Sequence, residues 1–430
     1  MDIIKKYGEQ IKKVSDEKPD KALSMMKVGL DYESLRTKFH PDKKLSKAYK
    51  MLNHIVVKNT LKALKEPENS VWVNIFAPVE ILQCFGLNPI SLECLSSFFS
   101  GFQCEDYFID TAENNGIAST LCSYHKNFIG AMDSGVLPKA SFAVTTSMIC
   151  DGNINTFRYV CDKYKVEDYY IDIPHDYSKE AEEYVVMQLK ELISKLEKKY
   201  NKKLDYEKLK ETLRRENESK RLYAKFLEEQ KDRMYPNTLS MNLFMLYATH
   251  LNIGEEEMLD FYRLLAKDVL NYKKGNQKSI FWVHLFPYYQ DTLKSYFNFN
   301  EKYVIKACDL NLDFMEELDV EHPIEALAKK MILNRFNGSY ERKIELVEEC
   351  VKKYDADAVI HFCHWGCKQS SGGVMLLKDK MKEMKIPMLI LDGDGMDRRN
   401  SHDGQIKTRI EAFLEMINAG GEEDDDRICM

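Results

Sequence analysis

The chain reads as an α/β protein of two units, each with a mostly parallel sheet of about four strands. A long helical segment joins the units, and a helical extension precedes them. Three observations predict this. Short apolar runs alternate with segments of helical period in two blocks, one starting at Ser70 and one at Ile280. Between the blocks lies a stretch dense in glutamate and lysine, with apolar residues at helical intervals. Ahead of both blocks, residues 1–66 have helical period and no strand-like run.

The elements follow in order. LSKAYKMLNHIVVKNTLKAL repeats apolar residues every three or four positions, and KEPEN breaks the pattern. VWVNIF (71–76) is then a strand. APVEILQCF (77–85) is a helix with proline near its first turn, closed by Gly86. Residues 88–92, SFAVTTS (141–147) and DYYIDIP (168–174) supply three further strands. Helices over CSYHKNFIGAMDSG and NINTFRYVCDKYK separate them. Ser178 to Met234 reads as a solvated helical connector, ended by Pro236 and followed by more helix to Tyr272. The second block supplies IFWVHLF (280–286), KYVIKACD (302–309), ADAVIHF (356–362) and IPMLILDG (386–393), with a closing helix over 406–417. Both units are Rossmann-like in layout. The expected divisions are 1–66, a first unit 67–177, a connector 178–278, a second unit 279–420 and an acidic flexible tail 421–430. The cleft between the units is the expected site.

Composition excludes several classes. A length of 430 residues and 44% apolar content suit two or three folded domains. A net charge of −7 argues against nucleic-acid binding. No run of about 18 apolar residues exists, so no membrane span is expected. The first residues carry no export signal and the RICM end forms no prenylation box, so the expected location is the cytoplasm. The 11 cysteines form no C-x-x-C pair, which argues against a zinc ribbon. Neither a dinucleotide fingerprint nor a Walker A sequence is present, so the chain is not expected to hydrolyse ATP.

The chemistry concentrates at HFCHWGCKQSSGG (361–373), a strand-to-helix turn, where open α/β sheets collect ligands. Cys367 lies in the loop, while Cys363 falls within the strand and reads as core. Zinc held by His361, Cys363, His364 and Cys367 is disfavoured, because a strand sends alternate side chains to opposite faces. Cys150 ends a strand of the first unit, and Cys122 opens a helix whose dipole favours a thiolate. Three such thiols around one cleft suit an iron–sulfur cluster with an open position, although each taken alone also reads as an ordinary cysteine. Cys84, Cys94, Cys104, Cys161, Cys308, Cys350 and Cys429 read as structural or surface residues. Ser370, Ser371, Gly372 and Gly373 stand at a helix start, suited to binding an anion or simply to capping. Arg398 and Arg399 suit either a substrate phosphate or salt bridges. Glu80, the one charge in FAPVEILQCF, is either a buried proton-transfer group or a solvated helix-start glutamate.

The phrases HWGCKQSSGG and DGDGMDRRN, with FAPVEILQCFGLNPI, LCSYHKNFIGAM and TTSMICDGNINTF upstream, resemble the 2-hydroxyacyl-CoA dehydratase D-component family, which includes benzoyl-CoA reductase subunits. The resemblance runs from Val71 to Ile417 and is nearest to the α-type subunit. It implies that Cys122, Cys150 and Cys367 hold a [4Fe–4S] cluster whose fourth iron is open to water or substrate. It implies a proton-transfer role for Glu80 in the P-x-E phrase. Ser370, Ser371 and Gly372 become the expected wall for a CoA thioester. Met396 stands where several relatives carry cysteine. Cys84, Cys94 and Cys104 keep a double-cubane cluster open, and with it a reductase-like activity. A non-catalytic scaffold or maturation partner is the remaining alternative.

The implied reaction is reversible dehydration of an (R)-2-hydroxyacyl-CoA to an enoyl-CoA. The β-hydrogen of the thioester is not acidic. One added electron gives a ketyl radical anion, which expels the hydroxide. The enoxy radical that results has a far more acidic β-proton, and its loss with return of the electron gives the product. The implied partners are a second subunit of the same family and an ATP-hydrolysing iron–sulfur activator.

Overall fold

Strand β1 (Ser70–Val73) is buried at every residue and pairs in parallel with β2 (Asn88–Ser91) and β3 (Phe142–Thr146), while β4 (Asp168–Ile171) adds to the far side of β3. The second unit repeats the plan. There β5 (Lys278–Val283) lies between β6 (Tyr303–Cys308) and β7 (Ala358–His364), with β8 (Met388–Gly393) outside β7. The computed structural model describes residues 3–419, and the predicted tail 421–430, with Cys429, lies outside them. The sheet orders are β2-β1-β3-β4 and β6-β5-β7-β8, all parallel, as the alternation of strand and helix predicts. Each order reverses between its two central strands, and the crevice at the carboxyl ends of those strands is the natural ligand position.

Like β4, strands β1 and β5 end three residues short of their apolar runs. Val73 ends β1 because the Asn74 side chain donates to Thr146 Oγ1 at 3.0 Å and the Asn74 carbonyl closes a turn onto Ala77 N–H. Val283 ends β5 because His284 takes a φ of +78°, held by its N–H donating to Asp309 Oδ1 at 2.7 Å. Both interruptions turn the chain toward the crevice.

The extension forms helices Ile3–Ser15, Pro19–Phe39 and Lys47–Lys65. Ser46 caps the third by accepting from Tyr49 N–H. Its Val57, Leu61 and Leu64 pack with Trp72 and Phe128 under the first sheet, while Leu52, Ile55 and Val56 join the main core. The connector is not solvated all round, as its charge density suggests. Helix Lys179–Tyr200 buries Val185, Leu189, Leu192 and Leu196, and helix Tyr206–Gln230 buries Leu209, Leu213, Tyr223 and Phe226. These residues enter one core with β1, β3, β5 and β7. The lysines and glutamates lie mainly on the opposite faces, so composition hid an amphipathic pattern.

Three parts of the fold meet at a buried charge cluster. Lys330, on helix Pro323–Ile332, places Nζ 2.5 Å from Glu80 Oε1 and 2.7 Å from Glu216 Oε1. Lys220 adds a second cation, 2.9 Å from Glu216. Glu80 is 1% exposed, which rules out the solvated reading of that residue. Burial and the neighbouring Glu216 charge raise its pKa, against the pull of Lys330.

Candidate functional site

A cavity of 390 Å³ lies at the carboxyl ends of the central strands, and Cys122, Cys150 and Cys367 all line it. Each cysteine immediately precedes a helix: Ser123–Asp133, Asp151–Tyr164 and the short Lys368–Ser371. Cys150 follows β3 and Cys367 follows β7, so the sheet order of each unit delivers a thiol to the crevice. Ile149, with a φ of +65°, bends the chain sharply into Cys150. The two units touch at Gly366, which has a φ of +75°. A Cβ there would stand 2.6 Å from the Cys122 amide nitrogen, so only glycine fits. A larger surface cleft of 640 Å³ is lined mostly by carboxylates and basic side chains and holds no cysteine.

Each thiol faces a histidine. His364 Nε2 lies 3.2 Å from Cys122 Sγ, and His284 Nε2 lies 3.4 Å from Cys367 Sγ. His125 Nε2 stands 4.0 Å from Cys150 Sγ. Gly395 N–H donates to His364 Nδ1 at 2.9 Å, so a neutral His364 carries its proton on Nε2 and points it at Cys122. The Thr156 hydroxyl donates to the Gly152 carbonyl at 2.8 Å, so it accepts the Nδ1 proton of His125 at 3.0 Å. His125 Nε2 is then a lone pair. Asp394, 0% exposed, anchors this corner by accepting from Ser123 Oγ and from the N–H groups of Met396 and Asp397 at 2.8 and 2.9 Å.

Burial, with the negative charge that Cys367 and Cys150 would carry as thiolates, raises the Cys122 thiol well above its ordinary range. Burial and Cys367 push Cys150 up to about 11. Holding these thiols as thiolates takes a compensating positive charge in the cavity. Among the described residues, no three His, Cys, Asp or Glu side chains converge on a single metal ion. The residues fit a cluster on other grounds: separate elements bring three thiols to one cavity, and cubane thiolates sit on different irons.

The zinc arrangement at residues 361–373 does not form. His361 Nε2 donates to the Ser370 carbonyl at 2.7 Å, and the Cys363 thiol lies 3.6 Å from the same oxygen, buried within β7 as its strand position predicts. Ser370 is also buried, its hydroxyl donating to the Cys367 carbonyl at 2.9 Å. The Ser371 hydroxyl donates to that carbonyl at 3.0 Å. Ser370, Ser371 and Gly372 do not line the cavity; Lys368 and Gln369 do. Arg398 pairs with Glu105, and Arg399 lies 2.9 Å from Asp397 and 2.8 Å from Asp110, the salt-bridge reading of both. Of the three extra cysteines, Cys94 lines the cavity, while Cys84 contacts Thr212 and Cys104 the Phe99 carbonyl. Glu80 borders a separate 30 Å³ cavity, and Ile75 and Phe76 line both cavities. The cysteine cavity itself is lined by the carboxyls of exposed Asp151 and half-buried Glu93. Nothing in SLECL marks Glu93, because its position depends on how helix Leu92–Gly101 docks.

His361 gives a measurable pH dependence. Burial and the nearby Lys343 lower its pKa from 6.5 to about 3. The unfolded chain binds a proton that the folded chain refuses over this range. Stability therefore falls as pH drops from 6.5 toward 3. H361Q keeps a donor for the Ser370 carbonyl, and its thermal midpoint is expected to fall less steeply with acid than that of the unsubstituted chain. Parallel profiles would refute this.

Among the described residues, no helix is long and apolar enough to cross a membrane. The family described as 2-hydroxyglutaryl-CoA dehydratase, D-component, matches residues 74–417. The chain is 23% identical over 384 residues to the (R)-phenyllactyl-CoA dehydratase alpha subunit of Clostridium sporogenes, covering 84% of this chain and 92% of that one. It is 23% identical over 390 residues to the lactoyl-CoA dehydratase subunit alpha of Anaerotignum propionicum, covering 81% and 90%. A benzoyl-CoA reductase subunit of Thauera aromatica is 21% identical over 340 residues, covering 71% and 79%. The family match begins just after β1 and takes in every later strand and all four cavity cysteines, and the chain belongs to the 2-hydroxyglutaryl-CoA dehydratase D-component family.

Proposed function

We propose that this chain is the iron–sulfur subunit of an (R)-2-hydroxyacyl-CoA dehydratase, which removes water to give an enoyl-CoA through a ketyl radical. The observation that carries the reading is the meeting of Cys122, Cys150 and Cys367 at one cavity between the two sheets, in a chain of this family. In this reading the chain works in the cytoplasm with a second subunit of the same family. It receives its electron from an ATP-hydrolysing iron–sulfur activator.

The three cysteines would hold a [4Fe–4S] cluster, which when bound supplies a Lewis acid and a one-electron donor beside the thioester. The chain's own residues do the rest. His364, oriented by Gly395 N–H, gives a hydrogen bond to Cys122 and stabilises its negative charge. The apolar part of the wall keeps water from the reacting carbons.

Two carboxyls are placed for the β-proton. Glu93 lines the cavity; burial raises its pKa, and Ser91 Oγ donates to it at 2.7 Å. Glu80, which the family phrase nominates, stands behind Ile75 and Phe76 and is tied to Lys330. We assign the transfer to Glu93 on position. E93Q is expected to lower kcat about 100-fold with thioester binding kept. The same loss from E80Q, with E93Q active, would return the role to Glu80.

The reading is tested by anaerobic reconstitution with the partner subunit. About four irons per chain, with spectra altered by 2-hydroxyacyl-CoA, is the expected result. About eight irons would favour a double-cubane or benzoyl-CoA-reductase-like protein acting on another small substrate. A chain that takes up no iron would favour the scaffold or maturation alternative.

A further inference from the structure

The cavity lining is of two kinds. Cys94, Cys122, Cys150 and Cys367 line it with His125, His284 and His364. The apolar lining gathers residues from far apart in the chain. Ile75 and Phe76 come from just beyond β1, Leu243 and Leu246 from helix Leu239–Leu246, and Leu285 and Leu310 from just beyond β5 and β6. Leu246 and Leu310 are buried, and Phe76 is fixed edge-on against His250.

The charges on the lining are unevenly placed. Glu93 sits on the wall, and Asp151 is exposed. Among the described lining residues the cation is Lys368, which is exposed. An anionic group carried against the apolar lining would be desolvated there, in a cavity that already holds the Glu93 carboxyl. No cationic partner is built into that wall. Burying a charge in such surroundings is strongly unfavourable, whereas a hydrocarbon group gains by leaving water.

Resting on the dehydratase reading above, we propose that the substrate is a 2-hydroxyacyl-CoA with an uncharged, apolar acyl side group, aliphatic or aromatic, and not one ending in a carboxylate. The apolar lining receives that group while the thioester carbonyl and the 2-hydroxyl face the thiols. Specificity then comes from Leu243, Leu246, Leu285 and Leu310, which face the cavity from three elements.

The test uses the cluster-loaded complex with its partner subunit, without electron donor, so that binding is read apart from turnover. Dissociation constants are measured by calorimetry for 2-hydroxy-4-methylpentanoyl-CoA, for 2-hydroxyglutaryl-CoA and for free CoA. The aliphatic thioester is expected to bind at least about tenfold tighter than the carboxylate one. L246R is expected to erase that preference by weakening the first and strengthening the second. L246Q, a milder change, should weaken only the aliphatic thioester. Equal binding, or tighter binding of the carboxylate thioester, overturns the proposed class while the dehydratase reading stands. If neither thioester binds better than free CoA, the dehydratase reading falls and the class falls with it.

Discussion

Replacing Lys330 by methionine is expected to destabilise the protein by about 3–5 kcal/mol. The side chain is about one-fifth exposed, yet it neutralises two carboxylates that are at most 1% exposed. Glu216 retains Lys220 in the variant, but Glu80 loses its cation inside the core. An unpaired buried charge costs far more than the pair contributes when intact. The double variant K330M/E80M should therefore recover most of the loss, because apolar side chains of similar size replace the pair. Thermal midpoints of the single and double variants check this. A double variant as unstable as K330M would show that the cost lies in packing and not in charge.

Alanine at Cys122, Cys150 or Cys367 is expected to lose most of the reconstituted iron and to reduce dehydratase turnover to background. Each thiol comes from a different segment, so no neighbouring cysteine on the same element takes its place. Two comparisons make the expectation specific. C363A should load iron normally, because that thiol is directed at the Ser370 carbonyl. C94A should also load normally, although Cys94 shares the cavity wall. Iron loss from C94A would point to a larger cluster, and full iron in C367A would refute the ligand set.

Much of this was legible in the sequence because strand and helix periods differ. The eight apolar runs each became a strand, displaced by a few residues where Asn74 and His284 turn the chain. Cysteines just beyond strands or at helix starts were legible for the same reason, since parallel topology puts those positions at one rim. The partners of the thiols were not. His125 lies within a helical pattern and His284 within an apolar run, and nothing local shows that each faces a cysteine from another segment or its own rim. Glu80 carried the stronger sequence signal and Glu93 none, yet Glu93 lines the cavity. Pattern reports which residues are buried together on one element; which faces meet across elements is settled only by packing.

The contact between Gly366 and the Cys122 backbone has a consequence for biogenesis. Two of the three thiols are synthesised early and the third near the end of the chain. The backbones that carry Cys122 and Cys367 come together only when the second unit has docked on the first. A nascent chain released before that docking would present two cysteines and no third. In the cluster reading, loading of the three thiols would then wait on completed docking of the two units.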